Sequence, residues 1–283
     1  MGKFSGYLLA SDADGTLLGR DTKICERNIE NIKRFTNNGG KFIVATGRTA
    51  DGARFMVEAT DVNAPCIVAN GAQIYDFEKE EIVWEMRLSD EELEAAQSVF
   101  LSGKFEHCGT ELHSGSKVYV FSPTEETNIH QVAEELDAVI CNDDEIGNIK
   151  GVFKALISMR SAEEFDAIEQ FIRANAKCPL KIIHSTATLM GSKYDYLEIL
   201  PFGASKAVAL KELQRLEGEK IKKTIAIGDY YNDKEMLEFA DISAVPSGAP
   251  LDLKEMADYV VCDCSVGAVG HLIEQLENRK DEI

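Results

Sequence analysis

The sequence predicts an α/β fold, with a parallel sheet core assembled from both ends of the chain and a separate α+β domain inserted between them. Three observations predict it. Four short apolar runs, at residues 7–10, 42–45, 67–69 and 225–227, are continuous rather than alternating, as strands covered on both faces are. Each run is followed at once by small or polar residues. Between the third and fourth runs the texture changes to strands mixed with helices, which suits a second layer of its own.

Taken in order, Tyr7-Leu8-Leu9-Ala10 opens the core sheet. Residues 25–38 follow as a helix, with Ile29, Ile32 and Phe35 at helical spacing and Gly39-Gly40 as a stop. With the run at 42–45 they make a βαβ unit, and the run at 67–69 is a third core strand. Residues 90–101 and 162–174 read as amphipathic helices. Residues 117–121, 139–141, 152–159, 181–184 and 196–200 read as strands, some of them alternating. The core resumes with a helix at 206–216, the strand at 225–227 and a helix at 234–239. Strands at 242–245 and 259–262 and a closing helix at 269–276 complete it. This partition assigns 1–84 and 199–283 to the core and 85–198 to the inserted domain. Trp84, the only tryptophan, falls at the junction and reads as packing at a hinge. Residues 278–283 read as a frayed polar tail.

Composition narrows the function. Hydrophobic residues make up 45% of the 283 positions and charged residues 28%, ordinary values for a globular chain. The formal charge of −19 disfavours nucleic acid and anionic lipid as main partners. Any phosphate site must therefore be a local positive spot made by a metal, a lysine and backbone amides. The first residues lack the anatomy of a signal peptide, and no stretch approaches membrane-spanning length. Met1-Gly2 is not a lipidation signal, since position 6 is Gly. Seven cysteines without a secretory signal read as reduced thiols in the cytoplasm. Cys262-Asp263-Cys264 reads as strand-end thiols, because a lone C-x-C without a partner pair is a weak metal motif. Oligomeric state leaves no signal.

The chemistry sits after the core strands. Asp12-Ala13-Asp14-Gly15-Thr16-Leu17-Leu18 follows the first, Thr46-Gly47-Arg48 the second, Asn70-Gly71-Ala72 the third and Gly228-Asp229-Tyr230-Tyr231-Asn232-Asp233 the fourth. Ligands of open α/β sheets bind outside the carboxyl ends of the strands, so these segments should meet. Asp12, Asp14, Asp229 and Asp233 converging on one spot demand a cation, and Mg²⁺ suits an oxygen-only set with room for water and phosphate. Asp12 can act as nucleophile, splitting phosphoryl transfer into two displacements. Asp14 can protonate the leaving alcohol and then deprotonate water. The Thr46 hydroxyl and Gly47 amide can hold phosphoryl oxygens, and Lys206, near a helix start, can neutralise them. Singly, each piece reads more readily as a turn or a cap. Their ordered recurrence on strand ends, with a lysine before the last, favours the functional reading.

These motifs resemble the four motifs of the haloacid dehalogenase superfamily of phosphohydrolases: Asp12-x-Asp14-Gly15-Thr16-Leu17-Leu18, Thr46-Gly47-Arg48, Lys206 and Gly228-Asp229-x-x-Asn232-Asp233. Asn70-Gly71-Ala72, Leu197-Glu198-Ile199 before Lys206 and an insertion after the third strand resemble its Cof-like sugar phosphatase branch. The resemblance implies a Rossmann-like core with an inserted α/β cap that governs substrate choice. It also implies Mg²⁺ held by Asp12, the Asp14 carbonyl and Asp229. Asp233 would support the metal shell, and Asn232 would contact phosphate or the metal's waters. Ala13, Ala207, Gly248-Ala249 and Tyr230-Tyr231 depart from the usual pattern, and the last two could reshape the pocket.

The expectation is a Mg²⁺-dependent phosphatase for a small phosphorylated metabolite, a sugar phosphate by resemblance, working through an aspartyl-phosphate. A phosphosugar mutase of the same superfamily, a signalling receiver and a catalytically idle sugar-phosphate sensor are the alternatives. Asp14 two residues beyond the nucleophile, and a cap of this size, argue against a receiver. In the cap, His113, Lys117, His184, Lys193 and Tyr194 could reach a substrate, but each reads first as an ordinary exposed side chain.

Overall fold

The computed structural model describes residues 2–105, 107–159, 164–189 and 192–278; of residues 143, 187–189, 192 and 193 only the backbone is described. The expected tail beyond Asn278, the start of the expected helix at 162–174 and the side chain of Lys193 lie outside that range. The chain forms two compact units, one of residues 1–84 and 205–283, the other of Glu85–Ala204. The expected break at 198 falls inside a strand, Ser192–Leu200.

The first unit opens with β1 (Tyr7–Ser11), α1 (Glu26–Asn37), β2 (Lys41–Val44), α2 (Ala50–Ala59) and β3 (Cys66–Val68). β4 (Gln73–Asp76) and β5 (Glu81–Glu85) follow, β5 running across the division between units. The second unit contains α3 (Asp90–Leu101), β6 (Gly109–Ser114), β7 (Lys117–Phe121), α4 (Glu125–Ala133) and β8 (Ala138–Ile140). β9 (Val152–Met159), α5 (Phe165–Asn175), β10 (Lys181–Leu189) and β11 (Ser192–Leu200) complete it. The chain then returns to the first unit through α6 (Lys206–Glu217), β12 (Lys223–Ile227), α7 (Lys234–Phe239) and β13 (Ile242–Pro246). It closes with α8 (Leu251–Met256), β14 (Tyr259–Val261) and α9 (Ala268–Asn278).

The core sheet has the order β14-β13-β12-β1-β2, and its pairings are all parallel. Leu8, Leu9, Phe42, Ile43, Val44, Ile225, Ala226 and Ile227 are fully buried, so both faces are covered, as the continuous apolar runs require. Because β12, β1 and β2 are parallel neighbours, their carboxyl ends lie side by side, and the segments after them are brought together.

The third apolar run behaves differently from the expectation of a core strand. β3 touches the core sheet through a single parallel bridge, Ala45 to Ile67, and pairs antiparallel with β4 in a separate three-stranded sheet. The reason is local. Ala69, Asn70 and Gly71 all have positive φ (49°, 53° and 88°), which reverses the chain where a parallel strand would continue into a helix.

The second unit is a six-stranded sheet of order β10-β11-β9-β6-β7-β8. Leu112, Phe121, Ala155, Ile157, Leu197 and Ile199 make its apolar face, packed in one cluster with Leu93 and Val99 of α3 and Ile168 and Ile172 of α5. α4 lies on the opposite face: Thr124 Oγ1 is 3.1 Å from Ser158 Oγ, and the Tyr196 hydroxyl donates to the Glu126 carbonyl at 3.2 Å. Ser89 starts α3 with a capping box to Glu92, and Thr124 starts α4 with one to Thr127.

Candidate active site

Each motif begins where a core strand runs out of ladder. The Asp12 amide still donates to the Ile227 carbonyl at 2.9 Å, which fixes the backbone of the residue just beyond β1. The chain then turns at Gly15, whose φ is +86°. A Cβ there would lie 2.3 Å from Asp229 Oδ2, so only glycine lets the two strand ends close on one another. Across the sheet, Gly228 gives the Asp233 carboxyl similar room, since a Cβ would sit 2.4 Å from its carboxyl carbon. Asp233 Oδ2 accepts the Asp229 amide at 3.0 Å and the Tyr230 amide at 3.3 Å, folding the last motif back over the end of β12.

At the centre is Lys206, the first residue of α6. Ser205 caps this helix by accepting from the Val208 amide at 3.2 Å. Gly71, with φ +88°, packs so closely that a Cβ would come 2.1 Å from the Ser205 carbonyl oxygen. The Lys206 side chain is 1% exposed, and its ammonium donates to Asp12 Oδ1 at 2.5 Å and to Asp233 Oδ1 at 2.6 Å. Asp12, Asp229 and Asp233 each place an oxygen within 4.8 Å of the others. Burial, together with the charges of Asp233 and Asp229, raises the Asp12 carboxyl well above its ordinary range, against the pull of Lys206. Burial and Asp233 push Asp229 up to about 6. Lys206 answers in kind: burial opposes its charge, but Asp12 and Asp233 hold it well above the usual ammonium range.

Asp14 stands apart from the three clustered carboxylates. Its side chain is about half exposed and engages Arg48, with Nε to Oδ2 at 3.1 Å and Nη2 to Oδ1 at 2.9 Å. This fork-to-fork pair gives Arg48 a place in the site that its motif position alone did not assign. Thr46 is buried and its Oγ1 accepts the Arg48 amide at 3.1 Å. The Thr46 carbonyl accepts the Asn70 amide at 2.9 Å. Its place after the third apolar run assigns Asn70 no role of its own. Its side chain leaves no room for a Cβ on Gly47, and its Oδ1 lies 3.4 Å from Asn232 Nδ2. Asp12, Lys206 and Asp233 thus form a buried centre with half-buried Asp229, while Arg48 and Asn70 link Asp14, Thr46, Gly47 and Asn232 to one another. Tyr230 and Tyr231, bulkier than the family pattern, contact edge-on at 5.0 Å between centroids and remain exposed.

The candidate residues of the second unit divide. Lys117 is exposed, Tyr194 half-buried, and His184 exposed but stacked on Phe165 and 2.7 Å from Glu169 Oε2. His113 corrects the expectation: it is 1% exposed, because α4 covers the face of β6 on which it lies. Trp84 is half-buried against the core cluster of the first unit.

Comparison with known proteins agrees with this architecture. A family profile for haloacid dehalogenase-like hydrolases matches residues 9–273. A Streptococcus pyogenes relative is 29% identical over 276 residues, covering 95% of this chain and 97% of its own. The 5-amino-6-(5-phospho-D-ribitylamino)uracil phosphatase of Bacillus subtilis is 27% identical over 291 residues, covering 95% of this chain and 97% of its own. Among solved structures, a haloacid dehalogenase-like hydrolase from Bacteroides thetaiotaomicron superposes with a TM-score of 0.80 at 23% identity, covering 97% of this chain and all of that one. Membership of a family is thereby fixed over nearly the whole sequence, and the chain belongs to the haloacid dehalogenase-like hydrolases.

Proposed function

We propose that this hydrolase is a Mg²⁺-dependent phosphatase that takes the phosphoryl group from a small phosphorylated metabolite onto Asp12. The observation that carries the reading is the buried Lys206 ammonium bridging Asp12 and Asp233 beside Asp229. The donor set fits the metal. It offers oxygen alone, and burial together with the crowding of negative charge makes Asp12 and Asp229 harder to ionise, a cost that a hard divalent cation relieves. Asp12, Asp229 and the Asp14 carbonyl would hold the ion. Asp233, whose oxygens already accept Lys206 and two backbone amides, would support them. When bound, Mg²⁺ supplies charge neutralisation at the phosphoryl oxygens.

The chain's own residues account for the remaining chemistry. Lys206 occupies Asp12 Oδ1, which leaves Oδ2 as the attacking atom. As the Oδ2–P bond forms, the bond from phosphorus to the alcohol oxygen breaks, and Asp14 donates its proton to that oxygen. Water then attacks phosphorus, Asp14 takes the water's proton, and inorganic phosphate leaves with Asp12 restored. Arg48 engages both Asp14 oxygens and so sets where that carboxyl points, releasing one of them when Asp14 carries a proton. The Thr46 hydroxyl, the Gly47 amide and Asn232 are placed to receive the phosphoryl oxygens.

A sugar phosphate is the substrate class we favour, since the B. subtilis relative is named for a phosphorylated ribityl compound. We assign substrate choice to the second unit, and the odd number of cysteines, all unpaired, supports a reducing cytoplasm. Among the described residues no helix is long and apolar enough to cross a membrane. The test is phosphate release from a panel of phosphorylated metabolites, with and without chelator, by wild type, Asp12→Asn and Asp14→Asn. Chelation and Asp12→Asn should each abolish turnover. Asp14→Asn should lose about 10²–10⁴-fold, less with an activated leaving group, and accumulate phosphorylated protein after acid quench. If Asp12→Asn retains a tenth of the wild-type kcat, Asp12 is not the nucleophile. Isomerised sugar phosphate without net phosphate release would make the protein a mutase.

A further inference from the structure

The second unit holds a group of residues that the phosphatase chemistry does not use. Glu111 and His113 sit two residues apart on β6 and share the face that α4 covers. His130, from α4, reaches down to the same point. The His113 Nε2 and His130 Nδ1 atoms lie 3.1 and 2.7 Å from one atom, Glu111 Oε2, and the donor atoms of all three residues fall within 4.8 Å of one another. All three side chains are buried, at 1%, 5% and 0% exposure for His113, His130 and Glu111. The second carboxylate oxygen, Glu111 Oε1, is buried with no hydrogen-bond partner. A buried charged oxygen left unpaired is costly, and it lies on a residue toward which two imidazoles already converge.

We propose that Glu111, His113 and His130 form a buried binding site for a divalent transition-metal ion, Zn²⁺ by its chemistry. Two imidazole nitrogens and a carboxylate suit Zn²⁺, and they do not suit Mg²⁺, which prefers oxygen. With Zn–ligand bonds of about 2.0–2.1 Å, the edges of a tetrahedron are roughly 3.3 Å. The measured separations of 3.1 and 2.7 Å therefore need to open by about 0.2 and about 0.6 Å. Both Glu111 oxygens can face the ion, but they share one tetrahedral corner, because the two oxygens of a carboxylate lie much closer together than such an edge, so a water completes the shell. The neighbouring charges are compatible: Lys154, paired with His113 across the β6–β9 ladder, has Glu198 Oε2 at 3.5 Å to offset its charge. Val118, Val120 and Leu156, directly opposite His113 and Glu111, add no competing ligand. The ion would tie α4 to β6, a structural role within this unit that stands or falls apart from the chemistry of the core.

The experiment uses the full-length protein in buffer holding millimolar Mg²⁺, so that all-oxygen sites are filled. After removal of transition metals with a strong chelator, Zn²⁺ is added and the protein dialysed. Wild type should retain one equivalent, and Co²⁺ in its place should give the visible absorption of a tetrahedral nitrogen-ligated ion. His113→Gln and His130→Gln, checked for folding by circular dichroism, should each weaken retention by at least about 100-fold. Asp229→Asn should leave it unchanged. X-ray absorption on the wild-type zinc protein should count two imidazoles, a reading that needs no variant to fold. Folded wild type that keeps no Zn²⁺ and shows no cobalt spectrum overturns the proposal. So does a metal shell of oxygen alone, or loss of the ion in Asp229→Asn.

Discussion

Lys206→Met tests the electrostatic account of the core most directly, because it removes one charge and almost no volume. The ammonium lies 2.5 and 2.6 Å from Asp12 and Asp233 oxygens at 1% exposure. At an effective dielectric of about 20, each contact carries roughly 6–7 kcal/mol of gross attraction. Desolvation consumes much of that, but removing one partner of a buried pair still typically costs about 3–5 kcal/mol, since the other charges stay behind unpaired. Here Asp12, Asp229 and Asp233 would be left together. The penalty must depend on pH in a definite direction. Burial and Asp233 raise the Asp229 carboxyl to about 6 in the folded state, and Asp12 is raised as well. A carboxyl with a raised folded pKa binds a proton more tightly in the folded state. Its ionisation therefore destabilises the fold as pH rises through that range, and protonation relieves the strain below it.

The assay is urea unfolding in excess chelator, followed by the fluorescence of Trp84, which packs against the core cluster of the same unit. At pH 7.5, Lys206→Met should lose about 3–5 kcal/mol relative to wild type. At pH 5 the loss should shrink by at least about 1.4 kcal/mol, the equivalent of one pKa unit. A loss under about 1 kcal/mol at pH 7.5, or the same loss at both values, would refute the view that Lys206 is held by charge. It would then be a packed aliphatic stem.

Three further outcomes are expected. Arg48→Gln should lower kcat/KM by about 10–10³-fold for alkyl phosphates and much less for p-nitrophenyl phosphate, because it mispositions Asp14, the proposed proton donor; equal losses on both would place Arg48 elsewhere in the mechanism. Gly71→Ala puts a Cβ 2.1 Å from the Ser205 carbonyl at φ +88°, and should destabilise by at least about 2 kcal/mol in denaturant titrations while lowering kcat by displacing Lys206. In protein freed of transition metal, the second unit should be acid-labile. Burial depresses His113 from 6.5 to about 4, partly offset by Glu111 and reinforced by Lys154 and His130. The unfolded chain then binds the proton first, so about 3 kcal/mol present above pH 6.5 is lost as pH falls to 4. A thermal melt of His113→Gln with the wild-type pH slope over that range would contradict this.

Much of the core was legible because its chemistry is written in short stretches. Asp12, Asp14 and Gly15 are consecutive or nearly so, as are Gly228, Asp229 and Asp233, and each stretch follows an uninterrupted apolar strand. Parallel neighbours then bring such stretches together without further information. Two features escaped. Arg48 could be read as a motif member but not as the partner of Asp14, a contact spanning 34 positions. The run at 67–69 looked like the other core strands, and only the left-handed backbone of Ala69, Asn70 and Gly71 turns it into a hairpin. Asparagine and glycine are common at such angles, alanine is not, so the sequence carried only part of that signal.

The second unit was harder to read for one physical reason, and β6 and α4 share it. In Gly109–Ser114, Thr110 and Leu112 alternate with Glu111 and His113, a pattern that ordinarily means one face in the core and one in water. In Glu125–Ala133 the buried residues are Thr127 and His130, so no apolar stripe announces a helix with a face to hide. Each element concealed the other. The polar face of the sheet is buried because α4 covers it, and α4 needs no apolar stripe because what it covers is polar. Lys154 of β9 and Glu198 of β11 extend the same face, both buried, on strands whose other sides are apolar. Polar groups removed from water on this scale must find partners within the fold. Here the imidazoles of His113 and His130 share one Glu111 oxygen and leave the other without a partner, and a bound cation would give that oxygen one.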